Sequence, residues 1–221
     1  MSNGQAKPIT VLIADDHEMT RQGIRNALNH APDMKVVGEA QDGDEIKQLV
    51  ASLRPRILLL DLVMPKLSPT ELEKWARENY PETITLILSA HDRDAYLSNM
   101  MDAGAAGYLC KNKKAEQLIV AIRRAASGES LFDEEQFLRA KRWREEVGNK
   151  LNQLTRRELE ILKLLAKGYD NAAISQELTI TIRTTTYHIT NLLKKLGLKN
   201  RQEAAIWALK HLSDNLEEST G

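Results

Sequence analysis

Ile57-Leu58-Leu59-Leu60-Asp61 is an unbroken apolar run closed by a carboxylate, and Thr10-Val11-Leu12-Ile13-Ala14-Asp15-Asp16 repeats the arrangement with two acids. A short apolar run bounded by polar residues reads as a strand buried on both faces, as in parallel sheets. In an open α/β sheet the ligand crevice lies beyond the carboxyl ends of the strands. Asp15, Asp16 and Asp61 therefore arrive at one sheet edge, where three carboxylates cannot all ionise comfortably without a cation. Such a hard oxygen site suits Mg2+, which binds through one or two carboxylates together with phosphate and water.

Two more runs end at the same edge. Ile84-Thr85-Leu86-Ile87-Leu88 leads into Ser89-Ala90, and Ala106-Gly107-Tyr108-Leu109-Cys110 leads into Lys111. A carboxylate nucleophile, a divalent ion, a hydroxyl and an ammonium can together hold the oxygens of a transferring phosphoryl group. Strands are expected near 9–14, 35–39, 57–61, 84–88 and 106–109, alternating with helices near 18–30, 43–53, 69–79, 93–102 and 114–126. That alternation predicts an α/β domain, a doubly wound five-stranded parallel sheet. Turn signals such as Asp42-Gly43, Arg54-Pro55 and Ala103-Gly104 fall between the elements.

With these residues in order, 9–126 resembles the flavodoxin-like receiver domain of two-component response regulators. The match rests on Asp15-Asp16, Asp61-Leu62-Val63-Met64-Pro65, Ser89-Ala90 and Tyr108-Leu109-Cys110-Lys111. The resemblance implies that Asp61 accepts phosphate from a sensor histidine kinase. It implies Asp16 as a direct Mg2+ ligand, Asp15 as one acting through water or from behind, and the Val63 carbonyl as a third. Lys111 would pair with the phosphoryl oxygens, and Ser89 with the Ala90 amide would donate to them. Ser89 and Tyr108 would form a switch in which Tyr108 turns inward, and the surface formed by residues 93–126 would then support a homodimer. Two departures from the family stand out. Ser68-Pro69 requires a different turn after Met64-Pro65, and Asn112 stands after Lys111 where many receivers have proline.

Residues 127–150 read as a charged, partly helical linker. Its Phe132, Phe137, Leu138 and Trp143 are too few for a coiled-coil seam and are expected to pack on a neighbouring domain. Residues 151–212 form a second, smaller all-α domain. Thr155 and Glu158 make a capping box for a helix that sends Leu159, Ile161, Leu162, Leu164 and Leu165 inward and stops at Lys167-Gly168. Further helices are expected at about 171–178, 181–196 and 200–212, the middle pair joined through Thr179-Ile180 as a helix-turn-helix.

This segment resembles the LuxR-type helix-turn-helix of the NarL/FixJ regulators. The residues that carry it include Leu154-Thr155, Arg157-Glu158, Ile161-Leu162, Gly168, Ile174, Leu178, Thr184, His188, Leu196-Gly197 and Asn200-Arg201. It implies a dimer on double-stranded DNA with the long helix in the major groove. Arg183, Thr184, Thr186, Tyr187 and Thr190 would then meet bases and phosphates, and Lys194, Lys195, Lys199 and Arg201 would meet phosphates. Ile182, Tyr187 in part, Ile189, Leu192, Leu193 and Leu196 are expected on the inner side. Relatives usually carry Val then Lys or Arg where this chain has Thr185-Thr186. A lost cation and a threonine run together predict weak binding by a single module.

Composition agrees with a globular chain of one or two domains: 221 residues, 42% hydrophobic and 28% charged. No stretch approaches the ~18 apolar residues of a membrane span, and the N-terminus lacks the apolar core of a signal peptide. One cysteine, Cys110, excludes an internal disulfide and fits a cytoplasmic setting. A net charge of zero hides an asymmetry: residues 151–212 carry 10 Lys+Arg against 5 Asp+Glu, which suits a polyanionic partner. The acidic end, with Glu217-Glu218, is expected to stay disordered. No enzymatic turnover is expected. Two competing readings remain, a receiver that signals through protein contacts and a small aspartyl-phosphate phosphatase; against the latter, Val63 stands where an acid would be required.

Overall fold

The structure is a computed structural model describing residues 7–90 and 93–212. It divides into two compact units, Met1–Lys141 and Arg142–Gly221. In the first, β1 (Ile9–Ala14), α1 (Glu18–Asn29), β2 (Met34–Ala40), α2 (Gly43–Leu53), β3 (Ile57–Leu60), α3 (Pro69–Asn79), β4 (Ile84–Ser89), α4 (Asp94–Ala103), β5 (Gly107–Cys110) and α5 (Ala115–Ala126) alternate as expected. The sheet is five-stranded in the order β2-β1-β3-β4-β5, and every pair is parallel.

Successive strand residues point to opposite faces, so each central strand must be apolar throughout. Leu58 and Leu60 of β3 join Leu12 and Ile87 on one face, covered by Ile46 and Val50 of α2, Leu72 of α3 and Leu97 of α4. Ile57 and Leu59 join Val11, Ile13 and Leu86 on the other, covered by Leu28 of α1 and Leu118 and Ile122 of α5. All four β3 residues are buried. Truncating such a leucine to alanine costs about 2–5 kcal/mol.

The turn that carries Val63 and Met64 is shaped by a close approach. A Cβ on Gly43 would lie 2.3 Å from the Lys66 carbonyl oxygen, and the Gly43 amide donates to the Pro65 carbonyl at 3.1 Å. Lys66 takes a φ of +55° there, and its ammonium pairs with Asp42 and Asp44 at the start of α2. Pro69 sits in the first turn of α3 after Ser68, where a missing N–H costs nothing.

The linker read as one segment is divided. Residues 127–141 belong to the first unit, with α6 (Glu134–Trp143) running past its end. A π-helical turn, Arg144–Gly148, and a short α7 (Asn149–Leu151) follow. Nothing in the 3.6-residue pattern announced the π turn.

The second unit contains α8 (Arg156–Ala166), α9 (Asn171–Glu177), α10 (Ile182–Leu196) and α11 (Arg201–Leu212) around its own apolar cluster. The capping box opens α8: Thr155 accepts from the Glu158 amide, and Glu158 accepts from the Thr155 amide at 2.7 Å. Asp170 and Thr181 cap α9 and α10, and Gly197 ends α10 in the left-handed region. Among the described residues no helix is long and apolar enough to cross a membrane. The acidic end at 213–221 lies outside the described residues.

Candidate phosphoacceptor site and DNA-reading helix

At the carboxyl ends of β1, β3 and β5, the side chains of Asp15, Asp61 and Lys111 meet. Lys111 Nζ lies 2.6 Å from Asp61 Oδ2 and 2.7 Å from Asp15 Oδ2. The backbone sets the two carboxylates in place: the Asp61 amide donates to the Ala14 carbonyl at 2.8 Å, and the Asp15 amide to the Ala40 carbonyl at 3.1 Å. Both are buried, Asp15 at 2% and Asp61 at 4% exposure. Asp16 stands at the rim beside them, its Oδ1 2.6 Å from His17 Nδ1.

The electrostatics follow from this burial. Desolvation pushes the Asp61 carboxyl above the usual range; Lys111 opposes this and the Asp15 charge adds to it. Burial also works against the Lys111 ammonium, but the Asp15 and Asp61 carboxylates beside it outweigh this and its pKa is raised. Among the described residues, one cation serves two buried acids, which leaves the cluster short of positive charge. Asp15 Oδ2, although paired with Lys111 by distance, has no directed hydrogen bond.

Ligand oxygens of Asp15, Asp16 and Asp61, together with a nitrogen of His17, lie within 4.8 Å of one another. A set dominated by carboxylate oxygens, one of them ion-paired to Lys111 but without a directed hydrogen bond, fits a hard divalent cation. His17 was missed by the sequence reading; its place directly after the acidic pair was the available signal. Arg21 was missed too. Buried on α1, it donates to the Asp15 carbonyl at 2.7 Å and pairs with Glu39 of β2, which pins the backbone of the acidic loop.

The remaining candidates fall around this centre. Val63 is half exposed, with its amide 3.4 Å from Asp61 Oδ1. Ser89 is buried at the end of β4, its carbonyl accepting from the Lys111 amide at 2.9 Å, and Ala90 is exposed next to it. Tyr108 is 3% exposed, already inside the cluster that includes Met100 and Ala140. The inward turn expected of it is therefore not required in this conformation.

In the second unit α10 presents Arg183, Thr186, Tyr187, Thr190 and Lys194 to solvent, and Lys199 is exposed just beyond its end. Ile182 and Tyr187, placed inward by the helical pattern, are 57% and 64% exposed. Ile182 opens the helix, ahead of the first turn that meets the core. Ile189, Leu192 and Leu196 are buried as expected.

Thr184 is half-buried, its hydroxyl 2.8 Å from that of Thr181. Thr185 is fully buried, with its hydroxyl 2.8 Å from that of Ser175. A threonine has the shape of valine, so Thr185 serves as a core residue, and of the pair only Thr186 stands on the exposed face. Lys195 is turned inward onto Glu158 at 2.6 Å. Arg201 donates to the Tyr169 carbonyl at 2.5 Å and to Asn171 Oδ1 at 3.1 Å, which ties α11 to the start of α9.

Comparison with known proteins agrees with both geometries. Residues 11–123 match the response regulator receiver domain, and residues 152–208 match the bacterial regulatory proteins of the luxR family. The chain is a two-component response regulator. It is 39% identical to the nitrate/nitrite response regulator protein NarL of Escherichia coli over 213 residues, which covers 94% of this chain and 97% of that protein. It is 35% identical to the response regulator protein VraR of Staphylococcus aureus over 203 residues, covering 92% of this chain and 97% of that protein. A solved structure of RcsB from Salmonella enterica serovar Typhimurium, bound to a promoter in the presence of a phosphomimetic, is similar with a TM-score of 0.56 at 25% identity. It covers 91% of this chain and 98% of the RcsB chain. This response regulator thus joins a receiver unit to a LuxR-type DNA-binding unit, as the sequence pattern predicts.

Proposed function

We propose that this response regulator takes a phosphoryl group on Asp61 from the phosphohistidine of a sensor kinase and, as a phosphorylated dimer, binds double-stranded DNA through α10 to control transcription. The observation that carries this is the buried pair Asp15–Asp61 bridged by one Lys111 ammonium at 2.7 and 2.6 Å. The Asp61 oxygen forms its bond to phosphorus as the donor's phosphorus–nitrogen bond breaks. Lys111, already within reach of Asp61 Oδ2, compensates the charge that moves onto the phosphoryl oxygens, and the Ser89 hydroxyl with the Ala90 amide donates to them. Asp15 and Asp16, with the Val63 carbonyl, would hold Mg2+, which supplies the charge neutralisation that phosphoryl transfer requires. His17 stands close enough to Asp16 to orient that carboxylate.

On DNA, Arg183 and Lys194 are the exposed cations of α10, with Lys199 beyond it; Tyr187 is exposed between them, and Thr186 and Thr190 are exposed with hydroxyls that donate to carbonyls of α10 and can still accept from a partner. Thr184, Lys195 and Arg201 keep supporting roles, because they are half-buried and their polar groups are engaged within the unit.

The test is incubation with acetyl phosphate and Mg2+. Mass spectrometry is expected to find one base-labile phosphoryl adduct, absent from Asp61→Asn. A native chain that gains no adduct, or an Asp61→Asn chain that still gains one, overturns the reading.

A further inference from the structure

Among the described residues β5 ends the sheet, so one of its edges has no strand neighbour. Carbonyls along such an edge require partners. The chain following α5 supplies them. The Leu131 amide donates to the Ala106 carbonyl at 2.7 Å, and two residues along the strand Gln136 Nε2 donates to the Tyr108 carbonyl at 3.1 Å. Gly107 lies between these carbonyls, and a Cβ there would stand 2.7 Å from Leu131 Cβ. The absence of a side chain at 107 is what lets the segment lie so close.

α6 then crosses to α4. Arg139 reaches Asp94 Oδ1 in the first turn of α4 through Nε at 2.8 Å and Nη2 at 2.6 Å. Ala140 is fully buried in the cluster that holds Leu97, Met100 and Tyr108, and Phe132 packs against the same cluster. Gln136 and Ala140 are one helical turn apart and share a face, while Phe137 and Leu138 stay exposed.

We propose that residues 131–140 are an intramolecular strap over the α4–β5 face, closed in the resting chain and released when Asp61 is phosphorylated. This rests on the reading of Asp61 above and adds how its state leaves the receiver. The anchors are placed for that purpose. Gln136 holds the carbonyl of Tyr108, and Arg139 holds the first turn of the helix that follows Ser89. The two side-chain anchors are polar contacts, and the Arg139–Asp94 pair is partly exposed to solvent, so that pair is individually weak. A strap built this way shifts population with modest driving force.

If the strap favours the unphosphorylated state, loosening it must tighten binding of a phosphoryl mimic by the same factor. Full-length protein is titrated with beryllofluoride and Mg2+, and hydrogen exchange is followed at the Leu131 amide and through α6. In the native chain beryllofluoride is expected to speed exchange across 131–140. The double variant Gln136→Ala, Arg139→Ala is expected to bind beryllofluoride about fivefold or more tightly than native. Arg139→Asp should behave likewise, and adding Asp94→Arg should return affinity toward native. Native binding with unchanged exchange, or variants of native affinity, overturns the strap and leaves the Asp61 reading standing. No beryllofluoride binding by the native chain overturns both.

Discussion

Individual side chains set the sharpest constraints on the receiver. Glu73, on α3, is 3% exposed, and its Oε2 has no hydrogen-bond partner among the described residues. Burial holds its carboxyl above the usual range, with a contact to Thr85 and the charge of Arg77 acting against that. A carboxyl whose pKa rises on folding adds stability while both states are protonated and loses that contribution as pH climbs through the folded pKa. Glu73→Gln is therefore expected to stabilise the receiver near neutral pH, by on the order of 1 kcal/mol, with the gain shrinking as the solution is acidified below the ordinary carboxylate range. Thermal unfolding across pH checks this. Gly43 makes the opposite case. A methyl group there meets the Lys66 carbonyl, so Gly43→Ala is expected to cost about 2 kcal/mol as an overpacking change, and to slow phosphorylation by moving the turn that carries Val63. Denaturant titration and adduct formation with acetyl phosphate read the two effects separately.

At the level of helices and strands, α10 shows how threonines survive in a helix. Thr186 donates to the Ile182 carbonyl and Thr190 to the Thr186 carbonyl, both at 2.9 Å, so their hydroxyls are satisfied along the helix itself. Thr185→Val is expected to cost no more than about 1.5 kcal/mol, the scale of one hydrogen bond, because Ser175 still donates to the Asn171 carbonyl. Thr186→Lys is expected to tighten DNA binding at low salt and steepen the dependence of log K on log salt by about one. A salt titration of native and variant on one duplex decides it. The strands were legible beforehand because a parallel strand buried on both faces must be apolar along its length, as Ile57–Leu60 is. Asp61 and Lys111 were legible because a polar residue ending such a run has only the sheet edge to occupy. What escaped were pairings between residues distant in sequence. Nothing around Thr185 names Ser175 as its neighbour, nothing around Arg201 announces the Tyr169 carbonyl, and Gly107 reads as an ordinary strand glycine until Leu131 is seen lying on it.

Taken as a whole, the molecule holds separate apolar clusters in its two units, two flanking the receiver sheet and one inside the helical unit. Glu158 adds a tie to the latter. Burial raises its pKa, but Lys195 and the Thr155 cap more than offset this and the net direction is down. A lowered carboxyl contributes stability above its unfolded pKa and loses it as pH falls through the folded value. The helical unit is accordingly expected to weaken in acid, and Glu158→Ala to cost it about 1–2 kcal/mol near neutral pH. Calorimetry of the full chain is expected to resolve two transitions, with Glu158→Ala lowering one midpoint and leaving the other in place. The division also has a genetic meaning. An allele that wrecks the packing around β3 leaves α8 to α11 with their own core and their capping residues intact. On the proposed reading DNA binding needs a dimer made through the receiver, so such a product is expected to be silent beside a wild-type copy in the same cell. A lesion inside the helical cluster, by contrast, leaves a receiver able to pair with wild-type chains and is expected to interfere with them.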